Sequence, residues 1–408
     1  IIQRVFTQNP IVEDVYMKNP KRSVFIVCLC AVFAVFAGSS VFVTAYADNV
    51  RPDQTIEIEA PSAILMDADT GTVVFDKNST EHRPVASMVK IMTLLLTFEA
   101  VDSGELSLDE DVTVSENASS MGGSQAFLDP HCEYKAEELI KAAIVASAND
   151  ACVALAERQA GSVEGFVGMM NAKAKELGMN DTNFVNCTGL PAPEQYCCAH
   201  DAAIMFSELI KHDKYFDYSG IYTYDIVHPS GRTTMLTNTN KLIKYYEGCD
   251  GGKTGFTNEA MYCLSATAKR GDTRLICVVT GAASSKARNA EICKLFDIGF
   301  ANYQTTQVIF KGIPLDMVYE MPESKEKKTG VAPAADGYVF TKRGDVGNVE
   351  YETSFEEVTA LPLPAGSRIG SIKAIVNGEV KAECDLVTTS NLNERTFGDI
   401  FGEFAENW

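Results

Sequence analysis

Ser87-Met88-Val89-Lys90 sets a hydroxyl and an amine three positions apart. On a helix that spacing puts both groups on one face. A serine hydroxyl is a poor nucleophile until a base takes its proton. A lysine serves as that base only when burial or a neighbouring cation lowers its pKa. The apolar run Met88 to Ala100 offers the burial, and Lys253 offers a neighbouring cation, so the amine of Lys90 is expected to be neutral near pH 7. Two further clusters suit the same site. Ser147-Ala148-Asn149 interrupts the apolar stretch Leu139–Leu155 with a hydroxyl and an amide. Buried polar groups need partners, so this pair should face a polar cleft. Lys253-Thr254-Gly255 follows Gly251-Gly252 and leads into a strand. Glycines there let a ligand's backbone approach the strand edge, while the lysine and threonine suit a substrate carboxylate.

None of these patterns is specific by itself. At ordinary residue usage S-x-x-K and S-x-N each arise about once by chance in such a chain, and K-T-G about 0.1 times. The chain holds second copies of all three: Ser324-Lys325-Glu326-Lys327, Ser115-Glu116-Asn117 and Lys328-Thr329-Gly330. Those at 324–330 overlap in one charged stretch, read as a solvated loop with neither an apolar helix after the serine nor a strand after the glycine. Ser115-Glu116-Asn117 lies in a polar, glycine-bearing stretch and is read as a loop too. Only the set beginning at 87, 147 and 253 has each motif on a fitting element.

The elements that must hold that set follow from periodicity. Ala63–Asp67 and Thr72–Asp76 flank Asp69-Thr70-Gly71 and read as a hairpin. Met88–Ala100 reads as a buried helix ending before Asp102-Ser103-Gly104. Residues 135–160 read as one or two packed helices. Phe166, Met169, Met170 and Leu177 share one face of another, closed by Gly178. Residues 201–212 and 285–302 give two more helices. Met261–Ala268 and Leu275–Thr280, joined by Lys269-Arg270-Gly271-Asp272, form a second hairpin. Strands at both ends of a helical middle predict one antiparallel sheet that joins both hairpins, with a helical lobe beside it. After Tyr303 short alternating runs replace the helical period, and residues 304–390 read as a small all-β domain.

A chain of 408 residues is about right for two or three units, and with 46% hydrophobic and 22% charged residues it can build cores throughout. A net charge of -20 argues against nucleic acid as a partner. Met17 is the expected start. Lys18, Lys21 and Arg22, an apolar run from Val24 to Val43, and Ala45-Tyr46-Ala47 have the order of a cleaved secretory signal, with cleavage before Asp48. The alternative is an uncleaved membrane anchor. Either way the remainder lies outside the cytoplasm. Of the twelve cysteines, Cys28 and Cys30 leave with residues 1–47. Cys152, Cys263, Cys277 and Cys293 sit in apolar runs and read as buried hydrophobes. Cys187, Cys197, Cys198 and His200 lack ligand spacing, so no metal is expected. At the C-terminus Phe397, Ile400, Phe401, Phe404 and Trp408 share one helical face, opposite Asp399, Glu403 and Glu406. An aromatic face of this kind suits a membrane surface, although the acidic face repels anionic lipid. Docking on protein is the alternative.

Taken with its context, the triplet resembles that of the penicillin-recognising serine enzymes. Within them the chain is similar to the low-molecular-mass penicillin-binding proteins that are D-alanyl-D-alanine carboxypeptidases. Residues 62–76 resemble their opening hairpin, Pro84–Lys90 their nucleophile segment and Ile144–Glu157 their second-motif helix. Glu176-Leu177-Gly178-Met179 and Thr188-Gly189-Leu190 are also family-like, as are the β domain and terminal helix. The Cys-rich stretch 187–198, Phe256 and the acidic terminal helix depart from the pattern.

The resemblance implies an α+β fold, with a β-lactamase/transpeptidase-like domain over 61–303. A leader at 48–60 precedes it, and the all-β domain at 304–390 and an amphipathic helix at 391–408 follow. It implies a peptidoglycan stem peptide ending in D-Ala-D-Ala as substrate, β-lactams as inhibitors, no cofactor, and export to the outer face of the bacterial cytoplasmic membrane or the cell wall. By the same resemblance Ser87 is the nucleophile, Lys90 the base and Ser147 the proton relay to the leaving D-alanine. Asn149 binds the substrate amide. Lys253, Thr254 and Gly255 hold the carboxylate end with Arg288, whose alternative is a surface helix charge. The N–H groups of Ser87 and Phe256 form the oxyanion hole. A serine β-lactamase is the nearest rival. It has an aspartate where Ala148 stands, and no Glu-x-x-Leu-Asn loop is found here. A non-catalytic β-lactam sensor or wall-binding module is the other rival, and an intact Ser, Lys, Asn, Lys, Thr set gives no sign of a dead site.

Overall fold

Strand β1 (Ser62–Asp67) is buried along its whole length, and its side chains alternate between two cores. Ile64 and Met66 join the core under the helices, while Ala63 and Leu65 join the core on the opposite face. A strand covered on both faces reads as a continuous apolar run, which is how this segment looks in sequence. The computed structural model describes residues 56–345 and 349–406. The expected signal segment, its Met17 start and cleavage site, most of the leader, and Trp408 lie outside them.

β1 pairs with β2 (Val73–Lys77), and helix α1 (Lys90–Ser103) follows a 3-10 turn at Ala86–Val89. Eleven residues of α1 are buried, including Lys90, Thr93 and Thr97, so it runs through the centre of the helical lobe. A short hairpin of β3 (Asp111–Thr113) and β4 (Glu133–Lys135) brackets helix α2 (Glu116–Ser119). Helices α3 (Ala136–Val145) and α4 (Asn149–Ala160) divide the expected 135–160 segment at Ala146–Ala148. Helix α5 (Val163–Glu176) buries Phe166 and Met170 but leaves Met169 at 40% exposure, so Met169 is not on the core face as expected. Helices α6 (Ala199–Leu209) and α7 (Asp213–Ser219), the hairpin β5 (Thr223–Val227) and β6 (Thr233–Thr237), and helix α8 (Leu242–Tyr245) complete the lobe. Then come β7 (Cys249–Thr257), β8 (Met261–Arg270), β9 (Thr273–Ala282) and helix α9 (Ser285–Asn302).

The central sheet has the order β2-β1-β9-β8-β7, with every pair antiparallel. The expected joining of the two hairpins is realised through β1 and β9, whose six-residue register runs from Ser62↔Thr280 to Asp67↔Leu275. α9 covers one face with Ile292, Leu295, Phe296 and Phe300. The order leaves β7 at the sheet edge, facing the helical lobe with no strand beyond it.

The all-β part holds β10 (Tyr303–Ile309) paired with β13 (Gly337–Lys342). Beside it lies a five-stranded sheet in which β11 (Val318–Glu320), β12 (Lys328–Pro333), β16 (Glu379–Thr388), β15 (Arg368–Val376) and β14 (Glu350–Phe355) run in that spatial order. Val331, Ile369, Ile372 and Leu386 fill its core. Helix α10 (Phe397–Glu406) follows, with Phe397 83%, Ile400 48% and Phe401 66% exposed.

Two readings of the duplicate motifs need correction. Lys328-Thr329-Gly330 opens strand β12 and is not a loop, because Val331, Ala332 and Pro333 give it an apolar edge to bury. Ser324 is fully buried, its hydroxyl donating to the Met321 carbonyl at 2.8 Å and accepting from the Lys327 N–H at 2.9 Å. Ser115 is the N-cap of α2, accepting from the Ala118 N–H at 2.9 Å, so this pattern too belongs to a helix start.

Candidate active site

Where the chain enters α1 it turns sharply. Ala86 has φ +48, a left-handed conformation that a residue with a Cβ holds only when its surroundings enforce it. Gly189 and Gly255 enforce it from two sides. A Cβ on Gly189 would lie 2.1 Å from the Ala86 carbonyl oxygen, and one on Gly255 would lie 2.3 Å from that of Val85. Both positions must be bare for the third-motif strand and the 186–190 turn to close on the Ser87 turn.

Lys90 begins α1 and is fully buried. Its Nζ donates to Ser87 Oγ at 2.9 Å and to the Thr188 carbonyl at 2.5 Å. Burial pulls its pKa down to about 8, against the opposing pull of Cys152, Cys187 and Asp150. The direction agrees with the expectation. Burial is also the sole lowering cause here. The repulsion expected from Lys253 acts on Lys253 itself, whose pKa falls well below the usual lysine range through burial first, then Lys90 and Arg288.

The second motif lies at the break between α3 and α4. Ser147 takes φ +61 and its hydroxyl accepts from Lys253 Nζ at 2.8 Å. Asn149 opens α4, with its backbone N–H bonded to the Ser124 carbonyl and its Nδ2 to the Gly122 carbonyl, both at 2.7 Å. Its Oδ1 is buried without a hydrogen-bond partner. An orphaned acceptor is expensive unless something donates to it, and a substrate amide N–H is such a donor. Asp150 accepts from the N–H groups of Ala126, Leu128 and Ala151, stitching the 122–128 segment to the start of α4.

The third motif occupies the edge strand β7. Besides Ser147, Lys253 Nζ reaches its neighbour's carbonyl at Thr254, 3.0 Å away. The Thr254 hydroxyl donates to Thr239 Oγ1 at 2.8 Å. Phe256 is half exposed and packs on Tyr262, ring centroids 4.5 Å apart. The glycines before the motif do not leave room for a ligand, as the sequence suggested. A Cβ on Gly251 would meet the Tyr215 ring at 2.9 Å, and one on Gly252 would meet Asn240 Nδ2 at 2.6 Å and the Ser265 carbonyl at 2.7 Å. Protein fills that space. Arg288 is 5% exposed, not a surface charge, and burial lowers its pKa to about 10. It donates to Asn289 Oδ1 and, at 3.3 Å, to the Cys263 carbonyl.

Ser87 and Lys90 thus form one bonded pair, Ser147 and Lys253 another, with Asn149, Thr254 and Arg288 in the surrounding elements. Lys90, Lys253 and Arg288 are buried cations, and none has a carboxylate within ion-pair distance among the described residues. Three buried basic groups without a carboxylate partner mark a place for an anionic group. Sequence reasoning missed Thr239, the Thr188 carbonyl, and Asn186, whose Oδ1 accepts from the N–H groups of Thr188 and Gly189 at 3.1 and 2.7 Å. The polar run Thr237–Asn240 and the Asn186…Gly189 spacing signalled turns, but nothing in them named the partners. No group of three or more His, Cys, Asp or Glu residues is placed to hold a metal among the described residues, and all ten described cysteines are free thiols.

The sequence profile of D-alanyl-D-alanine carboxypeptidases matches residues 48–284, and that of the penicillin-binding protein 5 C-terminal domain matches 303–394. The chain is 41% identical over 351 residues to the D-alanyl-D-alanine carboxypeptidase DacF of Bacillus subtilis, covering 86% of this chain and 90% of that protein. It is 33% identical to DacC of Escherichia coli, covering 90% and 92%. Among solved structures, penicillin binding protein 5 from Haemophilus influenzae superposes with a TM-score of 0.69 at 28% identity, covering 84% of this chain and 99% of that one.

Proposed function

This chain belongs to the D-alanyl-D-alanine carboxypeptidase family and is a serine-type hydrolase of that class, and from that premise we propose that it removes the terminal D-alanine from peptidoglycan stem peptides through an acyl-enzyme on Ser87. Lys90 in its neutral form takes the Ser87 proton as Oγ attacks the carbonyl of the penultimate D-alanine. The backbone N–H groups of Ser87 and Phe256 hold the oxyanion. Asn149 Oδ1 accepts from the substrate amide. Lys253, Thr254 and Arg288 hold the terminal carboxylate, and Gly255 lets the strand come close. As the tetrahedral intermediate collapses, the C–N bond breaks, and Ser147, hydrogen-bonded to Lys253, gives its proton to the leaving amine and takes in its place the one Lys90 acquired from Ser87, which leaves Lys90 neutral again. Water then attacks the ester, Lys90 takes its proton, and Ser87 leaves as a hydroxyl. A β-lactam enters by the same attack, and its ring-opened acyl group stays on Ser87.

The observation that carries this reading is the fully buried Lys90 with its Nζ 2.9 Å from Ser87 Oγ. The same reading assigns residues 61–303 to catalysis and 304–390 to a supporting β domain. It takes residues 1–47 as an export signal that delivers the enzyme outside the cytoplasmic membrane. α10 rests on the membrane surface through Phe397, Ile400 and Phe401, which are exposed. The test is mass spectrometry of the purified protein with benzylpenicillin, alongside D-alanine release from a D-Ala-D-Ala peptide. One penicilloyl group on the peptide containing Ser87, with stoichiometric D-alanine release, is the expected result. An adduct on the peptide containing Ser324, or none, sinks the assignment.

A further inference from the structure

The free edge of β7 is closed at one end by Asn238, Thr239 and Asn240, which follow strand β6. Both asparagines are buried and tied. Asn238 Nδ2 donates to the Ile221 carbonyl at 2.9 Å, and its Oδ1 accepts from the Asn240 N–H at 2.8 Å. Asn240 Nδ2 donates to the Gly251 carbonyl at 3.2 Å, while the Gly252 N–H donates to the Tyr215 hydroxyl at 3.1 Å. Side chains of the lobe thus occupy the backbone of β7 at 251 and 252, and a ligand paired with this edge begins no earlier than Lys253. Thr239 stands at that boundary, half-buried between the two asparagines. Its N–H donates to the Val145 carbonyl at 3.1 Å, two residues before Ser147, so its backbone is fixed to the second motif while its side chain meets the third.

The hydrogens of the two threonines are not equivalent. A threonine hydroxyl has one hydrogen to donate and two positions at which to accept. The hydrogen of Thr254 Oγ1 is committed to Thr239 Oγ1, 2.8 Å away. The hydrogen of Thr239 has no acceptor among the described residues. Of the pair, Thr239 therefore has the donor to offer. Accepting from Thr254 also polarises the Thr239 O–H and strengthens it as a donor. A peptide whose scissile carbonyl lies at the Phe256 N–H ends one residue back along the edge, at 253–254, which sets its terminal carboxylate against Thr239.

We infer that Thr239 is a further carboxylate-binding residue: its O–H donates to an oxygen of the terminal carboxylate, and the Thr254 hydroxyl serves that carboxylate by holding and polarising Thr239. The wall made by residues 238–240 then requires the bound chain to end at this point. The inference rests on the carboxypeptidase reading above, which puts the carboxylate at Lys253 and Thr254.

The experiment measures acylation of the native protein, Thr239→Val and Thr239→Ser by benzylpenicillin and by its methyl ester, in which the carboxylate is masked. Valine keeps the shape of threonine and removes the hydroxyl, whereas serine keeps the hydroxyl. Thr239→Val should lower the acylation rate constant with benzylpenicillin by about tenfold, the effect of one hydrogen bond to a charged group, and leave the rate with the ester within about twofold of native. Thr239→Ser should stay within about threefold of native with both. A native rate for Thr239→Val with benzylpenicillin overturns the inference. So does an equal loss with the acid and the ester, which marks a structural role, or a Thr239→Ser protein as slow as Thr239→Val. Should Thr239→Val fail to fold, Thr239→Ala removes the hydroxyl without adding bulk and is judged by the same two rates. D-alanine release from diacetyl-L-lysyl-D-alanyl-D-alanine is followed on the same preparations. If the native protein releases none while the acid and ester differ as expected, the carboxypeptidase reading falls and the carboxylate contact stands. If benzylpenicillin does not acylate the native protein, both fall.

Discussion

The part of the chain before Tyr303 and the β domain after it each carry a serine three residues before a lysine, and each carries Lys-Thr-Gly. The chemistry around the two sets is opposite. In the first part, Lys90 is fully buried and bonded to Ser87 Oγ, and Lys253 on the sheet edge is 2% exposed. In the β domain, Lys327 and Lys328 are exposed. There Ser324 is the buried member, its hydroxyl used up on the Met321 carbonyl and the Lys327 N–H, and Thr329 bonds Ser390 Oγ at 2.8 Å. The same letters make the proposed nucleophile and base in one place and a tied turn leading into a strand in the other. The difference lies in which residue is taken from water. Burying the amine lowers its pKa and creates a base, whereas burying the hydroxyl against backbone leaves nothing for a substrate.

That contrast predicts its own largest effect. Ser87→Ala should lower turnover by about 10^4-fold or more and abolish the penicilloyl adduct, whereas Ser324→Ala should leave the adduct intact and register only in stability. The mass of each variant after exposure to benzylpenicillin measures both. The next largest effect separates the two buried lysines. Lys90→Arg keeps the positive charge but cannot accept a proton, so acylation should fall by about 10^3-fold. Lys253→Arg keeps what a carboxylate needs and should lose about tenfold. If Lys90→Arg acylates at near-native rate while Lys253→Arg is dead, the roles of base and anchor are exchanged.

A smaller effect follows from the Lys90 pKa of about 8. The reactive form is the neutral amine, which gains population as pH rises through that value. Below pH 8 the acylation rate constant should therefore rise by about tenfold per pH unit, and it should level off above. Stopped-flow acylation with a chromogenic cephalosporin between pH 6 and 9 gives the profile. A rate flat from pH 6 upward would mean that the amine is already neutral, and that the burial of Lys90 is deeper in effect than its geometry conveys.

The sheet and the helices were legible because their apolar periods are strong. The antiparallel sheet joining two hairpins, the buried helix after Ser87 and the helical segment at 135–160 all follow from pattern and punctuation. The first-motif and third-motif residues were legible from their context as well. What stayed hidden is contact between distant segments. Gly251 and Gly252 invited the idea of ligand access, but Tyr215 and Asn240 occupy that space. Thr239 lies 15 residues from Thr254 and Thr188 lies 98 from Lys90, and no local rule pairs them. Arg288 was expected near the carboxylate, with a surface helix charge as the alternative; its position on α9 turns it toward β8 and the Cys263 carbonyl, a contact no local pattern names. The duplicate motif at 328–330 misled in the other direction, since its charged neighbours concealed a strand whose apolar half begins only at Val331.

The smallest expected effect sharpens the comparison at the second motif. Ser147-Ala148-Asn149 and Ser115-Glu116-Asn117 share a pattern and both stand at helix starts, but Ser147 has φ +61 and Ser115 has φ -73. Ser115 is an ordinary N-cap whose hydroxyl satisfies the Ala118 N–H, and its Asn117 side chain donates outward to Glu157 at 2.8 Å. Ser147 has no capping bond and spends its hydroxyl on Lys253. Ser115→Ala should therefore cost about 1 kcal/mol of stability, the usual loss for an N-cap hydroxyl, with turnover unchanged. In a lobe of this size that is a fall of about 2–4 °C in melting temperature. Ser147→Ala should do the reverse, lowering kcat/KM by about 10^2-fold with little change in melting temperature, because it removes a proton path and not a cap. Calorimetry and D-alanine release on the same two preparations measure both pairs of numbers. A Ser115→Ala protein that melts normally but turns over slowly would place the 115–119 helix in the catalytic machinery and erase the distinction between the two copies.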